Sequence, residues 1–153
     1  MISIARYCAF GAVLLALSSC STLTLEHVDF SWPVESVLTV SNTHTIEEGR
    51  YGLTCSVANV AREEFQDSTA LRGTKLRILR NGEGYYFLTG ARFKNVYVLT
   101  PGEGTLTLKA RIAVSETGLT NPALNQRPPF VQLLDASAPA RLLSSDDIVE
   151  EHK

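Results

Sequence analysis

The sequence predicts an all-β protein: a single β-sandwich-like domain of about seven or eight strands, with a small β-barrel as the alternative. Three observations predict it. Residues 74–114 hold four β-rich runs in two pairs, and each pair surrounds a short loop containing Gly-Glu-Gly. Several runs alternate apolar and polar residues with period two, the mark of a strand with one buried face. Aromatic and β-branched residues are plentiful enough to exclude global disorder.

The elements follow in order. Leu23 to Phe30 alternates loosely and suggests a first strand, broken by Trp32-Pro33. Val34 to Val40 reads as the next. Ser41-Asn42-Thr43-His44 and Glu47-Glu48-Gly49 carry turn chemistry. Tyr51 to Asn59 alternates as a strand, with Tyr51, Leu53, Cys55 and Val57 on one face. Val60 to Leu71 is polar, lacks Gly and Pro, and fits either a short helix or a loop; Arg72-Gly73 ends it.

The first hairpin is Thr74–Arg80 with Tyr85–Ala91, around Asn81-Gly82-Glu83-Gly84. The second is Phe93–Thr100 with Thr105–Val114, around Pro101-Gly102-Glu103-Gly104. Its last strand alternates almost without fault, which predicts that Leu106, Leu108, Ala110, Ile112 and Val114 all face the core. A four-residue loop sets Leu99 opposite Leu106, Tyr97 opposite Leu108 and Phe93 opposite Ile112. The outward face then pairs Lys94 with Arg111 and Val96 with Lys109. Lys94, Lys109 and Arg111 would form a basic stripe facing an anionic surface, or simply the charge that keeps sheet edges from pairing.

After Ser115 the pattern decays among Pro122, Pro128, Pro129 and Pro139, with one further strand expected at Phe130–Leu134. Ser145 to Glu151 fits a short helix capped by Ser145 or a frayed acidic tail.

The N-terminus has a different character. A lone cation, Arg6, precedes the eleven-residue apolar run Tyr7–Leu17, then come Ser18, Ser19 and Cys20. This is the order of a secretory signal, and the run makes only about half the helix length a bilayer core requires. The ending Leu17-Ser18-Ser19-Cys20 resembles the lipobox of bacterial lipoproteins. The resemblance covers the first twenty residues and implies cleavage before Cys20, a diacylglycerol on its thiol, and often acylation of the new amine. Ser21, where an Asp favours inner-membrane retention in enterobacterial lipoproteins, resembles the outer-membrane pattern.

This reading divides the chain into a signal peptide at 1–19, a lipidated cysteine and tether at 20–25, the sandwich domain at 26–134 and a C-terminal tail at 135–153. Cleavage leaves 13 Lys+Arg against 16 Asp+Glu, a mildly acidic balance that argues against nucleic acid as a partner. Of three cysteines, Cys8 leaves with the signal and Cys20 becomes a thioether. Cys55 is then alone, without a disulfide partner, and is expected to be a buried inert thiol.

No catalytic motif stands out. His27, His44 and His152 share no metal-ligand spacing, and there is no Cys-x-x-Cys or nucleophile elbow. Asp29 with Glu35, or Glu63 with Glu64, are the nearest to paired carboxylates. Both Gly-x-Gly loops lead into strands, which removes the phosphate-cradle reading. The expectation is a non-enzymatic envelope lipoprotein without cofactor or metal. It would be anchored by its lipid in the outer membrane and act as a binding or accessory module for an envelope protein. The alternatives are a lipid or glycolipid carrier with an apolar cavity, and an enzyme whose site is assembled from scattered residues.

Overall fold

Eleven strands in three antiparallel sheets, plus one short helix, make up the described residues of the computed structural model, which are 35–103 and 105–149. The signal segment, Cys20, the tether, the strand expected at Leu23–Phe30, His27, Asp29 and His152 lie outside them. The fold is all-β and sandwich-like. None of the sheets closes on itself, which overturns the barrel alternative.

The main sheet has five strands: β1 (Ser36–Thr39), β4 (Lys75–Arg80), β5 (Tyr86–Gly90), β6 (Asn95–Gly102) and β7 (Thr105–Ala113), side by side in that order. The hairpin β2 (Thr45–Glu48) with β3 (Leu53–Ser56) and the helix α1 (Ala58–Phe65) follow β1 in the chain. The second sheet runs β11 (Ile148–Val149), β10 (Ala138–Leu143), β9 (Phe130–Asp135) and β8 (Ala123–Arg127).

The central strand β5 shows why three layers are needed. All five of its residues are buried. Tyr86, Leu88 and Gly90 point to one face, and Phe87 and Thr89 to the other, because successive side chains alternate. The hairpin and helix cover the first face: Tyr51 meets Tyr86 edge to face at 5.8 Å, and Phe65 meets Phe93 at 5.4 Å. The second face carries Leu79, Phe87, Val98 and Ile112, all buried, and is covered by the second sheet. Leu124, Val131, Leu133 and Leu143 of that sheet belong to the same core. Gly90 is required where it stands, since a Cβ there would lie 2.9 Å from Leu76 Cδ2 and 3.1 Å from Phe93 Cε2.

The chain crosses between the sheets beside the β5–β6 turn. Arg92 N–H donates to Leu119 O (2.7 Å) and Leu119 N–H to Phe93 O (2.8 Å). Gly118, at φ +96°, allows the crossing: a Cβ there would sit 2.7 Å from Arg92 O, inside any real contact.

Several expectations are corrected. The segment Thr45–Glu48 is a strand, although its only apolar residue, Ile46, leaves period two almost invisible. The strand expected over Tyr51–Asn59 stops at Ser56, and the helix begins at Ala58, two residues before the polar segment. The prolines after Ser115 punctuate strands and do not dissolve them. Pro128 and Pro129, joined by a cis bond, are the two-residue connection between β8 and β9, and Pro139 lies in β10 where its register with β9 shifts. The tail is neither frayed nor helical over its described part. Ser144 caps a tight turn, accepting from Asp146 N–H (3.2 Å) and Asp147 N–H (3.0 Å), and β11 then pairs with β10.

The most consequential correction concerns β7. Pro101 and Gly102 belong to β6, so the β6–β7 connection is residues 103–104 and not a four-residue loop. Leu99 therefore faces Leu108, two residues on from the expected partner. The register then shifts between Val98 and Leu99, leaving Lys109 as the extra residue of a β-bulge. Beyond it Tyr97 faces Arg111 and Val96 faces Ile112, which replaces the expected Lys94–Arg111 and Val96–Lys109 pairs. The bulge divides the apolar run. Ile112 and Val114 are buried on the sandwich side, whereas Leu106 and Leu108 turn to the hairpin-and-helix side, where Leu108 is 49% exposed.

This division sets opposite outcomes for two leucine-sized side chains on one strand. Ile112→Ala should cost about 2–5 kcal/mol, as for a fully buried aliphatic, while Leu108→Ala should cost less than about 1 kcal/mol. Denaturant melts of the two variants measure both. Equal losses would contradict the bulge.

Candidate functional site

The turn of Leu106 and Leu108 away from the sandwich opens a cleft of about 440 Å³ between β3, α1 and the β5–β7 face. Leu88, Leu99, Leu106 and Leu108 make its floor, with Tyr97. Thr54, Cys55 and Ser56 of β3 form one wall, and Asn59, Val60 and Glu63 of α1 the other. The spacing of Asn59, Val60 and Glu63 places them along one face of the helix, as i, i+1 and i+4 must be. Glu63 is exposed and makes no ion pair among the described residues.

The adjacent Glu64 has a different task. Its carboxylate accepts from Asn95 Nδ2 (2.8 Å), Tyr97 Oη (2.8 Å) and the backbone N–H of Lys94, and so ties α1 to the start of β6. The two glutamates thus diverge, one into the cleft and one onto the sheet, and do not form a carboxylate pair. Tyr97 is fully buried. Burial first, and its hydrogen bond to Glu64 second, hold its hydroxyl well above the ordinary tyrosine range, so it stays a donor. The helix has no side-chain N-cap bond at Val57 and ends on Gln66 in the left-handed conformation, donating to Arg62 O at 2.9 Å. With eight residues it is too short to hold its shape alone, and docking through Glu64, Phe65 and Ala61 supplies what propensity does not.

The rim of the first face is built from charge on aromatic rings. Glu48, buried, accepts from Arg50 N–H (3.0 Å) and Arg50 Nε (3.2 Å), and Arg50 also donates to Ser36 Oγ. The hydrogen bond to Glu48 is the main reason the Arg50 guanidinium is held even more firmly protonated than usual. Arg80 stands over both Tyr51 and Tyr86, 5.6 and 5.8 Å from the ring centres. These contacts pin the β2–β3 hairpin to the main sheet and fix the wall that carries Cys55.

The residues singled out from sequence take these positions. Cys55 is half-buried in the cleft wall, and burial pushes its thiol up, away from the reactive thiolate. His44 sits in a turn at φ +62° and accepts from Arg72 Nε at 2.6 Å, away from the cleft. Glu35 is a structural tie, accepting from Arg77 Nη1 (3.0 Å) and from Leu124 N–H (2.7 Å), which links the two sheets. Lys94, Lys109 and Arg111 do not form one stripe. Lys94 is exposed near the β5–β6 turn, Arg111 is exposed opposite Tyr97, and Lys109 is taken by the bulge to Asp146 and Ser145 O, 5.1 Å from the Tyr85 ring centre. Lys109 draws the Asp146 carboxyl below its usual range.

Among the described residues no group of three or more His, Cys, Asp or Glu side chains is placed to hold a metal ion. The cleft offers shape, an aliphatic floor and one free carboxylate, which suits binding. Sequence reading missed it because the alternation of β7 gave no sign of a bulge. The one available signal was the continuous apolar run Val96–Leu99, which requires cover on both faces. Neither the protein-family models, nor the curated proteins, nor the solved structures compared with this chain include a match to it.

The Tyr97–Glu64 tie has a signature in alkali. The raised Tyr97 hydroxyl leaves stability intact below about pH 10, the unfolded tyrosine value, and loses it as pH rises above that toward the folded value. Tyr97→Phe should flatten this alkaline fall at a cost near 1 kcal/mol at neutral pH. Glu64→Ala, which strands several donors, should cost about 2 kcal/mol or more. Chemical melts between neutral and alkaline pH compare the three proteins.

Proposed function

We propose that this chain is a lipid-anchored protein of the bacterial cell envelope, non-enzymatic, which presents its β-sandwich-like fold at the membrane surface as a binding or accessory module. The observation that carries the reading is the Leu17-Ser18-Ser19-Cys20 sequence at the end of an eleven-residue apolar run. Acyl chains on Cys20 would hold the protein at the bilayer, since each buried methylene contributes about 0.8 kcal/mol and two or more chains make attachment lasting. Ser21 favours the outer membrane. Among the described residues no helix is long and apolar enough to cross a membrane.

The binding role draws its support from the open cleft and its free carboxylate. A lipid or glycolipid carrier is the second reading, favoured by the aliphatic floor of Leu88, Leu99 and Leu106.

Lipidation decides the first part. Wild-type protein from the membrane fraction should begin at a diacylglyceryl Cys20 by mass spectrometry. Cys20→Ala should leave an uncleaved, unacylated precursor, because thioether formation precedes the cut in this pathway. A cleaved, soluble product with an unmodified Cys20 would sink the lipoprotein reading.

A further inference from the structure

The main sheet ends on β7, and among the described residues β6 is its sole strand neighbour. The bonding on the β6 side fixes what the other side offers. Val114 N–H donates to Lys94 O (2.8 Å), and hydrogen-bonded pairs recur at every second residue of an antiparallel ladder. Counted back through the register, Val96 with Ile112, Val98 with the bulge and Thr100 with Thr107 are bonded pairs. Pro101, which has no N–H to give, falls at an unbonded position opposite Leu106. Leu106 and Leu108 therefore aim their backbone N–H and C=O groups away from the sheet. Thr105-Leu106-Thr107-Leu108 carries no charge, proline or bulge, the devices that normally blunt such an edge. The rest of β7 is blunted by the bulge and by the pairing of Lys109 with Asp146.

We infer that two copies of this chain pair antiparallel through this half of β7, about a twofold axis at Thr107, into a dimer whose two clefts share one floor. Facing residues must lie on the same side of the sheet, so the axis passes through a residue that faces its own copy. Centred at Leu106 or nearer the turn, the pairing sets Leu108 past the start of the partner's strand. Centred at Leu108, it puts the bulge beside the axis. Centred at Thr107, it makes Leu106 of each copy a bonded pair with the partner's Leu108, and both groups already aim outward. The leucines of the two copies then meet on the cleft side, and Leu108, half exposed in one copy, is covered. The same register sets Glu103 of each copy opposite the partner's Arg111. Neither of these residues makes an ion pair among the described residues of one copy. Backbone, apolar side chains and charge thus agree on one self-complementary register, as a twofold interface requires. The axis stands perpendicular to the sheet, so both clefts open on the same face and their floors join at Leu106 and Leu108. So short a seam makes a reversible dimer. The dimer goes beyond the anchored-module reading and does not rest on the anchor.

The test uses the full-length protein in whole cells of a bacterial host, with Cys55→Ser to remove the cleft thiol; that background alone is the baseline. Thr107→Cys sets a thiol against its own copy, because facing Cα atoms of an unbonded antiparallel pair lie about 4.5 Å apart, within disulfide reach. Thr105→Cys is the control. It faces the partner's Lys109, and its own copy stands about 14 Å away at about 3.4 Å per residue. After mild copper-phenanthroline oxidation, a non-reducing gel should show a disulfide dimer at position 107 at least about tenfold above both the baseline and position 105. Glu103→Arg and Arg111→Glu should each cut that yield at least about fivefold, since each contact occurs twice in the dimer, and together they should restore it to within about twofold. No dimer above baseline, equal yields at 105 and 107, or a double variant that fails to recover would each overturn the proposal. An adduct of position 107 with another protein in place of the dimer would assign the edge to that protein and overturn it equally.

Discussion

The two-sided burial of the middle strands is the constraint on which the other elements depend. β5 hides all five of its residues, and β6 hides Val96, Tyr97, Val98 and Leu99 in succession. Such strands leave apolar surface on both faces of the sheet, at roughly 25 cal/mol for each Å² left in water. One cover is the second sheet. The other is assembled from a hairpin and an eight-residue helix, neither of which would persist alone in water. Their folding is therefore a consequence of the sheet beneath them.

Specific polar ties keep the layers in register, since apolar contact by itself fixes no direction. Glu64 fastens the helix to Asn95 and Tyr97, Glu48 and Arg50 fasten the hairpin, and Glu35 joins Arg77 of one sheet to the backbone of Leu124 in the other. Each tie uses a carboxylate with several donors around it. Losing one member would strand the rest, which makes these groups costlier to remove than to keep. Glu63 makes no such tie among the described residues and lies at the cleft.

The bulge at Lys109 makes one strand serve both faces of the sheet. Past it, Ile112 and Val114 complete the sandwich; before it, Leu106 and Leu108 build the cleft floor. The same residue sends its ammonium to Asp146, which ties the turn before β11 to the edge of the main sheet. The sandwich core and the cleft thus draw on opposite halves of one strand. Without the bulge, the unbroken alternation would put Leu106, Leu108, Ile112 and Val114 on one face.

Sequence by itself determined the all-β class, β1, both hairpins of the main sheet, β9 and the turn chemistry of Asn81, whose side chain accepts from Glu83 N–H (3.1 Å) and Tyr85 N–H (3.0 Å). These are local features, written in period-two alternation and in residues that bond to their own neighbours. The Leu17-Ser18-Ser19-Cys20 run, on which the proposed anchor rests, is equally local. The tertiary structure alone decided β2, β8, β10 and β11, whose short runs show no period-two alternation and gain strand geometry only from a partner strand. It also decided which face each half of β7 serves. Alternation records that every second side chain is apolar, but a bulge changes the face without changing the pattern. The cleft arises where β3, α1 and the bulged edge meet, so no single stretch of sequence contains it.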